Sequence, residues 1–346
     1  MKKYQSSLFA YKWQLSDQYN AVPKNNLKVF GTFVCGGGST MGYKLAGYDH
    51  LGGVELDKKI AEIYKKNHNP KHLFVQDIRD FNKQVNKQQY PELFELDLLD
   101  GSPPCSTFSM AGSREKAWGI EKQFKEGQKK QQLDDLFFEW IETVRILQPK
   151  VAIAENVKGL LIGNAQVYLT EIIKKLNEID YNVQVFLLNG ATMGLPQRRE
   201  RVFIICSQKK LNFPKLELNF NCQPIYYKDI EIQNNNKNIT DTLLKLWVKT
   251  MAGKDFSDAH ATGSFFNYCK VSPNKVLPTI VANDIKLYHY KTPRKLLSQE
   301  LITASSFPQN YNFGNVQPYY LLGMSVPPVM MAQISHQIYL QWLSKI

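Results

Sequence analysis

Residues 101–106 read GSPPCS and place a thiol, Cys105, directly after two prolines. Each proline fixes its own φ and removes a backbone donor, so the chain entering Cys105 is stiff. Pro104 also biases Pro103 away from helix. The run ahead of it, residues 94–100, reads as a buried strand, which puts the cysteine on a rigid turn at a strand end. A thiol there is poorly placed for core packing and well placed for nucleophilic attack. Taken alone, a Pro-Pro-Cys is equally compatible with a buried structural thiol. Other reactive types keep it company. Glu155 closes the apolar strand 151–154, and Arg199 and Arg201 lead into the apolar strand 202–206. Arginines alternating into a buried strand must each find a partner. A thiol, a carboxyl and two guanidinium groups supply a nucleophile, a proton donor and anion stabilisers.

The elements that would position these groups follow in order. Residues 27–34 read as the first core strand and run into Cys35, Gly36, Gly37 and Gly38, with Ser39 as the expected cap of a helix over 40–45. Strand, Gly-rich turn and helix form the nucleotide-cradling unit of doubly wound α/β folds. The next strand, 53–56, carries Glu55 roughly 20 residues on, where such folds keep a ribose-binding acid. A helix over 58–67 and a short strand over 74–78 follow, the latter ending at Asp77. The turn lacks GxGxxG spacing and reads alternatively as a plain tight turn, and either acid reads alternatively as a helix cap. The series says more than its members, because ligands of open parallel sheets bind outside the carboxyl ends of the strands. Residues 107–130, with Arg114 and Trp118, form a basic stretch long enough for a lid, or a solvated insertion. Leu133, Leu136, Phe137, Trp140, Ile141, Val144 and Leu147 recur at helical spacing and read as core. A second crossover helix over 163–180 and a strand over 183–188 complete the pattern.

Composition narrows the class. The chain has 346 residues, 43% of them hydrophobic and 21% charged, as in soluble globular proteins. No run of about 18 apolar residues is present, so no membrane span is expected. The basic N-terminus lacks the apolar core of a secretory signal. Five cysteines without a CxxC pair argue against a disulfide framework or metal site and for a reducing, cytoplasmic location. A net charge of +12 suggests a polyanionic partner. After residue 207 the composition turns loop-rich, which predicts a small second domain. Residues 323–328 form another rigid turn, expected to pack back beside Phe33 and Gly37 and to start a helix over 329–343.

Taken together and in order, these residues resemble the DNA (cytosine-5) methyltransferase family over nearly the whole chain. Residues 33–38 resemble its Gly-rich first motif, Glu55 and Asp77-Ile78 its second and third, and residues 101–106 its Pro-Cys nucleophile motif. Residues 155–157 are its ENV, 197–201 its QxRxR, 294–308 its ninth motif and 323–328 its tenth. Three positions depart from the pattern: Cys35 stands for a glycine, Ser106 for a glutamine and Met324 for an asparagine.

The resemblance implies an α/β fold, a Rossmann-like S-adenosylmethionine-dependent methyltransferase sheet with a smaller target-recognition domain. It implies a catalytic domain over 1–207, the recognition domain over 208–317 and a C-terminal helix, 318–346, returning to the catalytic domain. Cys105 would add to carbon 6 of a flipped-out cytosine, Glu155 would protonate nitrogen 3, and Arg199 and Arg201 would hold oxygen 2 and the loop. S-adenosyl-L-methionine would be held by Phe33, Gly36, Gly37, Gly38, Glu55, Leu56, Asp77, Ile78, Pro104, Ser325 and Val326, with no metal. The implied partner is duplex DNA, with a restriction endonuclease as functional counterpart, and the expected state is a monomer. The tRNA-methylating branch of the family shares the pocket, but its Cys-Phe-Thr triplet is missing from this chain. A nicotinamide oxidoreductase or a catalytically dead DNA-binding module are readings of another class. The missing GxGxxG opposes the first, and the intact Cys105, Glu155 and Arg201 oppose the second.

Overall fold

A computed structural model describes residues 4–104, 136–163 and 165–346. Strands and helices alternate through the first half: β1 (Lys28–Thr32), α1 (Gly38–Leu45), β2 (Asp49–Glu55), α2 (Lys58–His68), β3 (His72–Val75), α3 (Ile78–Gln84) and β4 (Leu98–Gly101). Then come α4 (Leu136–Leu147), β5 (Val151–Val157), α5 (Ala165–Glu178), β6 (Tyr181–Asn189) and β7 (Glu200–Gln208). Among the described residues these strands form one seven-stranded sheet in the order β3-β2-β1-β4-β5-β7-β6. It is parallel from β3 to β5, while β7 runs antiparallel to both neighbours. The order reverses between β1 and β4, and this switch point opens a crevice at the carboxyl ends of the strands. The sheet is covered on both faces, which explains why its strands read as apolar runs rather than alternating ones.

Local chemistry sets the boundaries. Asp57 caps α2, its Oδ1 accepting from Lys59 N at 2.8 Å and Ile60 N at 3.2 Å. Two sequence expectations need correction. Ser39 is not the cap of the first helix: α1 already starts at Gly38, and its N-cap is Gly37, whose φ of +76° suits a glycine. Asp77 does not end a strand: β3 stops at Val75, and Asp77 caps α3, accepting from Arg79 N at 2.8 Å. The carboxylate prefers that role because its oxygen satisfies a first-turn N–H that has no partner inside the helix.

The later chain builds α6 (Asp241–Lys249), β8 (Lys254–Asp255), β9 (Cys269–Lys270), β10 (Leu287–Tyr288), α7 (Ser298–Ala304), α8 (Pro318–Met324) and α9 (Pro328–Gln341). The three short strands form their own sheet, over a separate apolar cluster that includes Leu246, Phe256 and Tyr288. A buried ion pair stands between this part and α7: Arg294 Nη1 meets Glu300 Oε2 at 2.8 Å, and Tyr227 donates to Glu300 Oε1 at 2.8 Å. The α9 helix lies against α1, where Tyr48 donates to the Ser335 carbonyl at 2.8 Å. A Cβ on Gly42 would come within 2.6 Å of Met331 and of the Pro328 carbonyl, so the two helices touch through a glycine. No described helix is long and apolar enough to cross a membrane.

Candidate active site

The carboxyl ends of the strands enclose a cavity of about 370 Å³, mostly apolar with a few convergent charges. Nine of the predicted residues line it: Phe33 after β1, Glu55 and Leu56 after β2, Asp77 and Ile78 at α3, Pro104 after β4, Glu155 on β5, and Arg199 and Arg201 at β7. Gly36, Gly37, Gly38, Ser325 and Val326 lie behind this wall rather than in it. A Cβ on Gly38 would sit 2.1 Å from the Val326 carbonyl, and one on Gly37 would sit 2.1 Å from His68 Nε2. These glycines therefore let the C-terminal turn and α2 close onto the loop. Cys105, the lid residues 107–130 with Arg114 and Trp118, and Ser106 lie outside the described residues.

Glu55 is oriented before any ligand arrives. Its Oε2 accepts from Cys35 N at 2.8 Å and its Oε1 from Asp57 N at 2.9 Å. Burial pushes its carboxyl above the usual range, and these backbone donors oppose the push. Each oxygen keeps a lone pair for a further donor. Around it the loop is strained. Phe33 (φ +56°) and Cys35 (φ +48°) both adopt the left-handed region that favours glycine. The Cys35 thiol, which lines the cavity, is pushed up to about 12, first by burial and then by Glu55.

On the opposite wall, Arg201 Nε meets Glu155 Oε1 at 2.9 Å. Both side chains are largely buried, so the pair is screened little. Arg201 Nη1 donates to the Glu200 carbonyl at 2.8 Å, which fixes the guanidinium plane. Arg199 turns away from the cavity centre. Its Nη2 donates to Gly323 O at 2.9 Å and Ser325 O at 3.0 Å, and its Nη1 to Ile280 O at 3.3 Å. Burial and then the Arg201 charge press its pKa well down, while Glu155 and these carbonyls favour the charged form. Asn156, beside Glu155, donates to the Pro103 carbonyl at 3.2 Å and so clamps the turn that leads to Cys105.

Comparison with known proteins now decides the family. The model of the C-5 cytosine-specific DNA methylase family matches residues 27–262. The chain belongs to the C-5 cytosine-specific DNA methylase family. It is 29% identical over 343 residues to the Type II methyltransferase M.FnuDI of Fusobacterium nucleatum, covering 87% of this chain and 91% of that one. Identity to M.NgoPII of Neisseria gonorrhoeae is 27% over 347 residues, covering 91% of this chain and 96% of that one. A solved structure of DNMT2 from Spodoptera frugiperda aligns with a TM-score of 0.64 at 17% identity, over 91% of this chain and all of that one (100%). At that identity the likeness is one of fold. The methylase is thus a DNA cytosine methyltransferase with a large, mostly parallel sheet, as its strand pattern foretold.

Sequence reading of this methylase missed several residues. Asp100 is buried at the end of β4 and accepts from Tyr43 at 3.0 Å. Its carboxyl is pushed from 3.8 up to about 7, mainly by burial and also by Glu155, against hydrogen bonds from Tyr43 and Ser39. Tyr311 and His68 both donate to the Gly36 carbonyl, at 2.5 and 3.1 Å. Burial drives His68 to about 3, so it is neutral, and the accepting carbonyl places its proton on Nε2. Asp100 was visible as an acid inside an apolar strand, whereas nothing near Gly36 announces Tyr311, 275 residues away. Because the folded state holds the Asp100 proton more tightly than the unfolded one, its stabilisation is full below about 3.8 and lost as pH rises through about 7. Asp100→Asn has no such loss. The melting temperature of the variant relative to wild type should therefore rise between pH 5 and pH 8. A pH-independent difference in thermal melts would contradict this.

Proposed function

We propose that this methylase transfers a methyl group from S-adenosyl-L-methionine to carbon 5 of a cytosine flipped out of a specific duplex DNA sequence, with Cys105 as covalent nucleophile. One observation carries the reading: the Glu155–Arg201 pair faces the same cavity as Glu55 and the clamped Pro103-Pro104 turn. The residues present fit the donor. Phe33, Ile78 and Leu56 offer apolar walls for an adenine ring, Asp77 an acceptor for its amino group, and Glu55 two oriented oxygens for ribose hydroxyls. When bound, S-adenosyl-L-methionine supplies an electrophilic methyl group.

The rest is the work of this chain. Carbon 5 of cytosine is too weak a nucleophile alone, so the Cys105 thiolate adds at carbon 6 and makes carbon 5 electron-rich. Addition loads negative charge onto nitrogen 3 and oxygen 2. Glu155 delivers a proton to nitrogen 3, and Arg201, already aligned with Glu155, donates to oxygen 2. Arg199 is a positioning residue that ties the cavity wall to residues 280, 323 and 325. After methyl transfer a water molecule takes the carbon 5 proton, the electron pair left behind breaks the carbon 6–sulfur bond to free the Cys105 thiolate, and nitrogen 3 returns its proton to Glu155, which restores the aromatic base.

A duplex hides its bases, so the cytosine must leave the stack to reach this cavity. Residues 1–207 form the catalytic domain, 208–317 the recognition domain, and 318–346 return to the catalytic domain. The chain acts in the cytoplasm as a monomer, and the Type II naming of its relatives supports a restriction endonuclease as functional counterpart. Incubation with methyl-labelled donor and either duplex DNA or transfer RNA tests the reading. Label recovered as 5-methylcytosine in the duplex is expected, and label confined to the RNA would overturn it.

A further inference from the structure

Three arginines stand at the start of β7, and two of them are held inside the protein. Arg199 is bound by three carbonyls and Arg201 by Glu155 and the Glu200 carbonyl. The third, Arg198, is exposed. Its guanidinium makes no hydrogen bond or ion pair to another described residue. Its backbone, by contrast, is pinned. Arg198 N donates to Leu277 O at 2.7 Å, and Arg198 O accepts from Thr279 Oγ1 at 2.8 Å. Its neighbour Gln197 is buried and accepts from Ile280 N at 3.0 Å. A long cation on a fixed stem, with no partner among the described residues, is set up to meet an external anion at low entropic cost.

A second cation, Lys275, stands with Arg198 near the Cys269 thiol, as do Asp255 and Asp258. Asp255 is committed to Ser257, accepting from its N at 2.9 Å and its Oγ at 2.7 Å. Arg198 lies three residues before Arg201, roughly 10 Å along an extended chain. Its main chain is hydrogen-bonded to residues 277 and 279 of the recognition segment, so it stands where that segment meets the stretch of wall that carries Arg201. We propose that Arg198 contacts a backbone phosphate of the DNA strand beside the extruded cytosine. The proposal rests on the duplex-DNA reading above. Such a contact fixes the register of the duplex and carries no sequence information itself.

The test uses the full chain, with Arg198→Ala and Arg198→Lys beside wild type. Binding to a fluorescent duplex that wild type methylates, and to an unrelated duplex, is measured by anisotropy across potassium chloride concentrations. Arg198→Ala should weaken both duplexes by the same factor, about tenfold, and lower the slope of log Kd against log salt by about 0.9, one released counterion. Arg198→Lys should keep the wild-type slope, because the charge is retained. In turnover the loss should fall on KM for DNA and not on kcat, with an unchanged melting temperature. An unchanged salt slope in Arg198→Ala overturns the contact. So does a loss confined to the methylated duplex, which would mean base reading. If wild type transfers methyl groups only to transfer RNA, the duplex reading falls and takes the contact with it; if it methylates the duplex and the slope stays put, the contact falls alone.

Discussion

Cys105→Ser should lose methyl transfer to DNA by roughly a thousandfold or more. An alcohol is not ionised near neutral pH, so it cannot add to carbon 6 as a thiolate does. The described contacts of the site do not involve the sulfur. Glu55 keeps its two backbone donors, the Glu155–Arg201 pair remains at 2.9 Å, and Asn156 still clamps Pro103. Donor binding by calorimetry and duplex binding by anisotropy should therefore stay within about twofold of wild type, well under the 1.4 kcal/mol of a tenfold change. A serine variant that keeps a tenth of wild-type turnover would remove Cys105 from the mechanism.

Glu155→Gln should cost about 10²- to 10⁴-fold in kcat, the usual range for a positioned proton donor. The amide keeps the shape of the carboxyl and its Oε1 can still accept from Arg201 Nε, so the fold and the apolar wall survive. It has no acidic proton to give to nitrogen 3. The loss should thus appear in kcat, with donor affinity unchanged, and single-turnover kinetics should place it at or before methyl transfer. A kcat within tenfold of wild type would show that Glu155 only shapes the pocket and that charge on the base is neutralised elsewhere.

Much of the site was legible because it is built at strand ends. Strand ends are marked in the sequence by apolar runs that stop at a polar residue, as at Glu55, whereas β5 runs on two residues past Glu155 to Val157. Parallel order then brings those ends to one edge of the sheet. What was hidden has two physical causes. First, strand direction is not written in an apolar run, so nothing in residues 202–206 announced that β7 runs against β5. Second, side chains that close over the loop come from distant segments. Tyr311 and His68 hold the Gly36 carbonyl, and Arg199 reaches Gly323 and Ser325, through contacts no local pattern encodes. Asp77 shows a subtler limit: the sequence offers the site and the helix cap as alternatives, and one carboxylate both caps α3 and faces the cavity.

The central claim is covalent attack by Cys105 on carbon 6 of a cytosine in duplex DNA, and a suicide substrate tests it most directly. With fluorine at carbon 5, methyl transfer leaves no proton there to remove, so the sulfur cannot depart and the thioether persists. A duplex carrying 5-fluorocytosine at the methylated position, incubated with wild type and donor, should give a complex that survives denaturing electrophoresis. Mass spectrometry should find the nucleotide on the peptide containing Cys105, and Cys105→Ser should give no complex. Efficient methylation of the unmodified duplex with no trapped complex, or an adduct on Cys35, Cys206, Cys222 or Cys269, would contradict the account.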